Sequence, residues 1–281
     1  MSNPLLEARD AFARSIPETR VSLGGRDWGV IDTGGAGPCL LLLPGTLGRA
    51  DVFWQQIDAL RPEVRVLAVS YPASGGVADW AADLAALLDA RGVARTAVLG
   101  SSLGGYVAAY LAAVYPDRVS HLFAANTLAS TEGIAARPPY SLDLWAAPID
   151  TLRGGFAMAM QAWGDAHPDQ APLVEFLLAE VAGRIPEGEM RARLAALKEA
   201  PPLPPDPRAP GDTSVIESAD DPLLPPPLRE GVRARYPGGA AYRFAWGGHF
   251  PYVLRPALYT ALIRAGMGLA PLPDDWADGT A

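Results

Sequence analysis

A mostly parallel α/β sheet with helices on both faces, interrupted once by a helical insertion, is the fold class this sequence predicts. Short apolar runs alternate with helical patterns between residues 38 and 125, the order that parallel βαβ units produce. Over 130–210 only helical spacing is found, and strands resume from residue 212. The expected organisation is a core in two parts, 1–129 and 211–281, with a helical cap inserted over 130–210.

Taken in order, RVSLGG and DWGVIDTGG (residues 20–25 and 27–35) read as a hairpin, each an apolar-rich run closed by glycines. PCLLLL (38–43) reads as a strand buried on both faces. Apolar spacing predicts helices over 51–60, 77–91 and 103–115, the last stopped by Pro116. VRVLAVSYP, TAVLG and VSHLFAAN are the strands between and after them. The insertion offers helices over 141–163, 170–184 and 187–200, then the proline-rich linker PPLPPDPRAP. DTSVIES and AAYRFAW are the returning strands, with helices over 226–235 and 256–267.

Composition limits the function classes. With 281 residues, 49% hydrophobic and 19% charged, the chain belongs among globular proteins. The 31 acidic residues outnumber 23 basic ones, a net charge of −8 without the basic footprint that nucleic acid or an anionic membrane requires. A small-molecule substrate is the expected partner, and oligomeric state is left open. The first twenty residues alternate charges and hold no continuous apolar stretch like that of a signal peptide, so a cytoplasmic location is expected. Cys39, the single cysteine, leaves no intramolecular disulfide and no cysteine-based metal cluster, and its place in PCLLLLP predicts a buried thiol.

The uncharged stretch TAVLGSSLGGYVAAYLAAVY (96–115) is long enough to cross a bilayer as one helix, and Gly100 and Gly104 give GxxxG spacing. A span would strand the neighbouring βα units without a sheet, however, and Gly104-Gly105 interrupts a long helix. Strand, turn and buried helix is the expected division.

The same letters read G-x-S-x-G, the turn that presents a nucleophilic serine between a strand and a helix. Ser102 is the nucleophile candidate, because Gly100 and Gly104 occupy the two places where the turn leaves no room for a Cβ; Ser101 is flanked there by Leu99 and Leu103. A serine hydroxyl needs an adjacent base, most often histidine, oriented by a carboxylate. His121 lies inside a strand, where packing is its ordinary role, and His167 lies in the polar turn GDAHPDQ. His249, in the Gly-Gly loop of AWGGHFPY after the last strand, is the base candidate. The acid is sought between Ser102 and His249, in VIESADDPLLPP: Asp221 first, with Asp220 and Glu217 as alternates. Backbone N–H groups of Leu103 and of Thr46, with Leu47 as the alternate, are the candidate oxyanion donors. Trp145, Phe156, Met158, Met160, Trp163 and Phe176 are expected to roof an apolar pocket, with Trp145, Phe156, Met160 and Trp163 as its candidate lining. No metal or organic cofactor is called for.

Together LLLLPGTLG, LGSSLGGY, ESADDPLLP and GGHFPY resemble the α/β-hydrolase superfamily across nearly the whole chain. Within it, PGTLGRADVFWQQIDAL, GSSLGGYVAAYLA, NTLAST, LAEVAGRIPEGEMRARL and WGGHFPYVLRP are most similar to maspardin-like proteins. The resemblance implies the fold and the cap. It also implies a departure, since maspardin-like proteins of animals carry asparagine where this chain has His249, and many superfamily members carry His-Gly where it has Pro44-Gly45. The expected activity is hydrolysis of a small carboxylic ester, thioester or lactone. Carbon–carbon bond hydrolysis with the same residues, and a non-catalytic binding or adaptor role, are the alternatives.

Overall fold

The computed structural model describes residues 3–280. Helix α1 (Pro4–Ser15) opens the chain, capped by the Asn3 side chain, which accepts the Leu5 and Leu6 N–H groups. It adds an element to those expected from the sequence patterns. Strands β1 (Thr19–Leu23) and β2 (Arg26–Asp32) form the expected hairpin. Then follow β3 (Cys39–Leu43), α2 (Trp54–Leu60), β4 (Arg65–Ser70), α3 (Val77–Ala90), β5 (Thr96–Ser101), α4 (Leu103–Val114) and β6 (Val119–Ala125). Between β6 and β7 (Thr213–Ser218) lie α5 (Ile149–Ala166), α6 (Ala171–Ala179) and α7 (Glu187–Lys198). Helix α8 (Pro226–Arg235), β8 (Ala240–Phe244), the short α9 (Pro251–Leu254) and α10 (Pro256–Gly266) complete the fold.

The eight strands form one sheet in the order β1-β2-β4-β3-β5-β6-β7-β8. β2 pairs antiparallel with both neighbours, and every other pairing from β4 to β8 is parallel. Apolar clusters cover the two sheet faces, one containing Leu41, Leu43, Tyr106 and Leu111, the other Leu40, Leu42, Phe123 and Ile263. A third, smaller cluster joins Leu47 to Leu144, Leu152, Val181, Met190 and Leu194 under α5–α7.

All six residues of β5 and nine of the 12 in α4 are buried, which accounts for the absence of charge between 96 and 115. Each large aliphatic side chain buried there contributes about 1.5–3 kcal/mol. No described helix is long and apolar enough to cross a membrane.

Three element boundaries differ from expectation. Residues 50–53 form a 3-10 turn before α2. The helix expected over 141–163 starts only at Ile149, because Pro148 precedes it and Asp143 Oδ1 accepts the N–H groups of Trp145 and Ala146 in a separate turn. The helix expected over 170–184 stops at Ala179 and widens into a π-turn that ends around Gly183, whose φ is +139°.

His121 is a packed histidine. Its Nε2 lies 2.9 Å from Ser214 Oγ and its ring 4.5 Å from that of Phe123. Burial, reinforced by Arg208 and opposed by Asp212, lowers its pKa to about 4. The unfolded chain therefore binds a proton near pH 6.5 that the folded protein refuses until about pH 4. Stability from this group is full above pH 6.5 and falls between those values, by roughly 3 kcal/mol in all. Urea midpoints at pH 7.5 and 4.5 are expected to differ less for His121→Gln than for the wild type. An equal acid loss in both proteins contradicts that assignment.

Candidate active site

β5 ends at Ser101, and Ser102 takes φ +55° and ψ −121° before α4 begins. This left-handed conformation is costly for a residue with a Cβ and lifts the side chain clear of the sheet. The turn is held on several sides. The Ser102 N–H is shared between the carbonyls of Ala125 (3.0 Å) and Asn126 (3.1 Å), and Thr127 Oγ1 donates to the Ser102 carbonyl at 2.6 Å. A Cβ at Gly100 would come within 2.0 Å of the Gly104 oxygen, and one at Gly104 within 2.1 Å of the Leu43 oxygen. Those contacts give the two glycines their steric reason.

His249 follows β8 on a loop in which Gly247 and Gly248 both have positive φ. Its Nδ1 lies 2.8 Å from Asp221 Oδ2, and both side chains are buried. Asp221 occupies the turn after β7, where its Oδ1 accepts the N–H groups of Leu223 (2.9 Å) and Leu224 (3.2 Å). Burial opposes the charged form of Asp221, but the attraction and hydrogen bond of His249, the Asn126 amide and the Leu223 N–H outweigh it and hold the carboxyl below the usual range. Asp220 serves the loop instead. Its carboxylate accepts the N–H groups of Gly247 (3.2 Å) and Gly248 (2.9 Å), fastening the segment that carries His249. Glu217 pairs with Arg233 and Arg243, and among the described residues it makes no hydrogen bond to His249.

Ser102 and His249 line two adjacent spaces that share Tyr140, Phe156 and Leu223 in their walls. One, about 110 Å³, is bounded by Gly45–Gly48, Tyr140, Phe156, Met160 and Tyr252. The other, about 360 Å³, opens past Leu128, Arg137, Tyr140, Phe156 and Leu223. The ring of His249 bonds to the acid through Nδ1, which leaves Nε2 on the far edge available to a proton from a neighbour in the cavity. Among the described residues Ser102 Oγ makes no hydrogen bond to His249: the two side chains share the cavity without that bond. Serine–histidine bonds of this kind often tighten only when substrate arrives.

Leu103 is the first residue of α4, so its N–H has no intrahelical acceptor. Across the cavity, Gly48 N–H donates to the Gly45 carbonyl at 3.1 Å, closing a turn with Thr46 and Leu47 at its centre. A Cβ on Gly45 would lie 3.1 Å from the Ser102 Cβ, so this turn abuts the nucleophile candidate.

Of the expected pocket residues, Phe156 and Met160 border the cavity at Ser102. Trp163 lines a smaller recess behind His249, its indole donating to Gln170 Oε1 at 2.9 Å. Trp145 does not join them: it is 56% exposed, in an outer recess with Ser141 and Lys198, because it sits in the turn before α5 rather than on the helix. Met158 also points outward at 67% exposure, and Phe176 packs against Trp54 in the core.

Asn126 is a site residue that the sequence patterns do not single out. It is buried with φ +40°, and its Nδ2 donates to Asp221 Oδ2 at 2.9 Å while its carbonyl takes the Ser102 N–H. One residue thus ties the serine turn to the acid. Its sequence signals are its place just after β6 and at the head of NTLAST, a stretch that carries the family resemblance without a role for the asparagine. Among the described residues no cluster of three or more His, Cys, Asp or Glu is arranged to hold a metal ion.

Comparison with known proteins agrees with the fold. Maspardin from Danio rerio is 26% identical over 261 residues, covering 88% of this chain and 81% of its own. The putative carbamate hydrolase RutD from Klebsiella pneumoniae is 26% identical over 257 residues, covering 82% and 92%. Among solved structures, the enol-lactonase from Burkholderia xenovorans superposes with a TM-score of 0.71 at 19% identity, over 89% of this chain and 100% of its own. A thermophilic esterase from Thermogutta terrifontis gives 0.74 at 23% identity, over 89% and 98%. The model of the alpha/beta hydrolase fold matches residues 38–256, from the strand before the Gly45 turn to the start of the last helix, and by that match the chain belongs to the α/β-hydrolase family.

Proposed function

We propose that this protein is a serine hydrolase that cleaves a small carboxylic ester, thioester or lactone through an acyl-enzyme on Ser102. The observation that carries the reading is the 2.8 Å Asp221–His249 bond beside a serine held at positive φ in the same cavity. In this scheme His249 Nε2 takes the Ser102 proton as Oγ attacks the substrate carbonyl carbon. The oxyanion is met by the N–H of Leu103 and of Thr46 or Leu47. The bond to the leaving group then breaks, and His249 returns the proton to it. Water, deprotonated by the same nitrogen, attacks the acyl carbon and frees Ser102. Asp221 holds His249 with its proton on Nδ1 and stabilises the imidazolium. The reaction so written uses no metal or organic cofactor.

The carbamate hydrolase and enol-lactonase named among the similar proteins carry names of carbonyl hydrolases, which supports this reaction class. The segment 130–210 serves in this reading as the cap over the cavity. A fluorophosphonate probe is expected to label the wild type and not Ser102→Ala. No labelling of the wild type, or equal labelling of both, defeats the proposal and favours the binding role that the similarity to maspardin allows.

A further inference from the structure

The turn over residues 44–48 is gripped from behind by two buried side chains. Tyr71 Oη donates to the Pro44 carbonyl at 2.9 Å. Arg193 Nη1 donates to the carbonyls of Thr46 (3.0 Å) and Gly48 (2.7 Å). Arg193 comes from α7, far along the chain, and is fully buried. Its guanidinium lies 5.4 Å from the centre of the Tyr71 ring, and its Nη2 donates to Glu189 Oε2 at 3.1 Å. Glu189 in turn takes Arg49 Nη1 at 3.0 Å, on the residue that follows the turn.

A wholly buried guanidinium is an expensive way to fill space, and an apolar side chain of similar volume often stabilises a core better. Its placement suits it to holding backbone. A trans peptide points its N–H away from its C=O, so the Arg193 bond to the Thr46 carbonyl fixes where the Leu47 N–H of the same peptide is aimed. The bond to the Gly48 carbonyl fixes the far end of the turn, and Tyr71 fixes the near end. The Leu47 side chain is anchored as well, packed with Met190 and Leu194 of the same helix.

We propose that Arg193 is the positioning residue of the oxyanion turn, holding its peptides so that N–H groups, and no carbonyl oxygen, meet the anion formed on Ser102. This rests on the serine-hydrolase reading above. It makes the oxyanion hole a joint product of two distant segments, complete only when α7 is docked on the turn after β3.

Arg193→Met and Arg193→Lys separate this role from mere stabilisation when steady-state ester kinetics are measured beside inhibition by an alkyl trifluoromethyl ketone. The ketone adds Ser102 Oγ to its carbonyl and leaves an oxyanion with no leaving group, so its affinity reads the hole directly. For Arg193→Met, kcat on p-nitrophenyl acetate is expected to fall about 100-fold with KM within about threefold, and ketone affinity to fall by the same factor as kcat. Arg193→Lys keeps the charge and the donors for the two carbonyls but loses the rigid fork whose second nitrogen is held by Glu189, and is expected to lose about tenfold in both. If Arg193→Met does not fold, Arg193→Lys and Tyr71→Phe carry the same comparison. Full kcat per folded molecule, or ketone affinity unchanged while kcat falls, overturns the positioning role alone. A wild type that neither hydrolyses esters nor labels at Ser102 overturns the hydrolase reading, and this proposal with it.

Discussion

Ser102→Ala is expected to lower p-nitrophenyl ester turnover by a factor on the order of 10⁶, leaving only the slow reaction that binding and oxyanion stabilisation sustain. The cause is loss of the attacking oxygen, for which no neighbour substitutes: Ser101 is buried in β5 and sits where the chain is still extended. His249→Asn is expected to fall about as far, since residues that act as a unit fail together. Combining the two changes should then cost little more than either one. If His249→Asn keeps turnover near the wild-type level while Ser102→Ala abolishes it, the serine is right and the base has been assigned wrongly. The folded state serves as an internal check, because Ser102→Ala keeps the Cβ at φ +55° and adds no new strain there.

Asp221→Asn should lower kcat by about 10⁴ with little change in KM. The reason is hydrogen-bond direction. Asp221 Oδ1 faces two backbone N–H groups, those of Leu223 and Leu224, and can be replaced only by an acceptor. An asparagine must therefore turn its oxygen toward them and its NH₂ toward His249 Nδ1 and Asn126 Nδ2. The histidine then accepts at Nδ1 and carries its proton on Nε2, where it is useless as a base toward Ser102. The Asn126 amide, facing another amide's donors, is left without its partner. Asp220→Asn keeps one acceptor oxygen and so deprives only one of the Gly247 and Gly248 N–H groups of its partner, and should cost far less. Should Asp220→Asn prove the more damaging of the two, the acid is not Asp221.

How much of this is legible in the sequence depends on range. The serine turn, the Gly-Gly histidine loop and the paired aspartates are local patterns, and the sheet brings them together because each follows the carboxyl end of a strand. Between Asp220 and Asp221 the sequence prefers the second only through the family resemblance of the D-P-L-L-P run that it begins, since the physical difference lies in whether the carboxylate meets a ring nitrogen or two glycine amides. Helix α1 does have a local signal: Asn3-Pro4 supplies an N-cap and a first-turn proline, yet the charges along it speak first to the question of export. The helix expected over 141–163 forms but begins late, at Ile149, because apolar spacing continues through Pro148 while the helical backbone does not. Arg193 lies in EGEMRARLAALK, whose five charges give no sign of its setting: nine of its 12 residues are buried. Its contacts to Thr46 and Gly48 span some 145 residues of chain, and no periodicity reports a contact of that kind.

The insertion is unevenly packed, and the imbalance bears on how such a protein can change. Helix α7 is locked among buried partners, and Arg184, just before it, pairs with Asp51 beneath. Helix α5 buries only Leu152 and Met160 out of 18 residues, yet it supplies Phe156 and Met160 to the wall above Ser102. On the proposed function, a substitution along α5 disturbs few neighbours and reshapes the cavity beside Ser102, whereas one along α7 disturbs the turn over residues 44–48. In that reading, divergence toward new substrates has its freedom on α5, while α7 holds the proposed oxyanion turn constant.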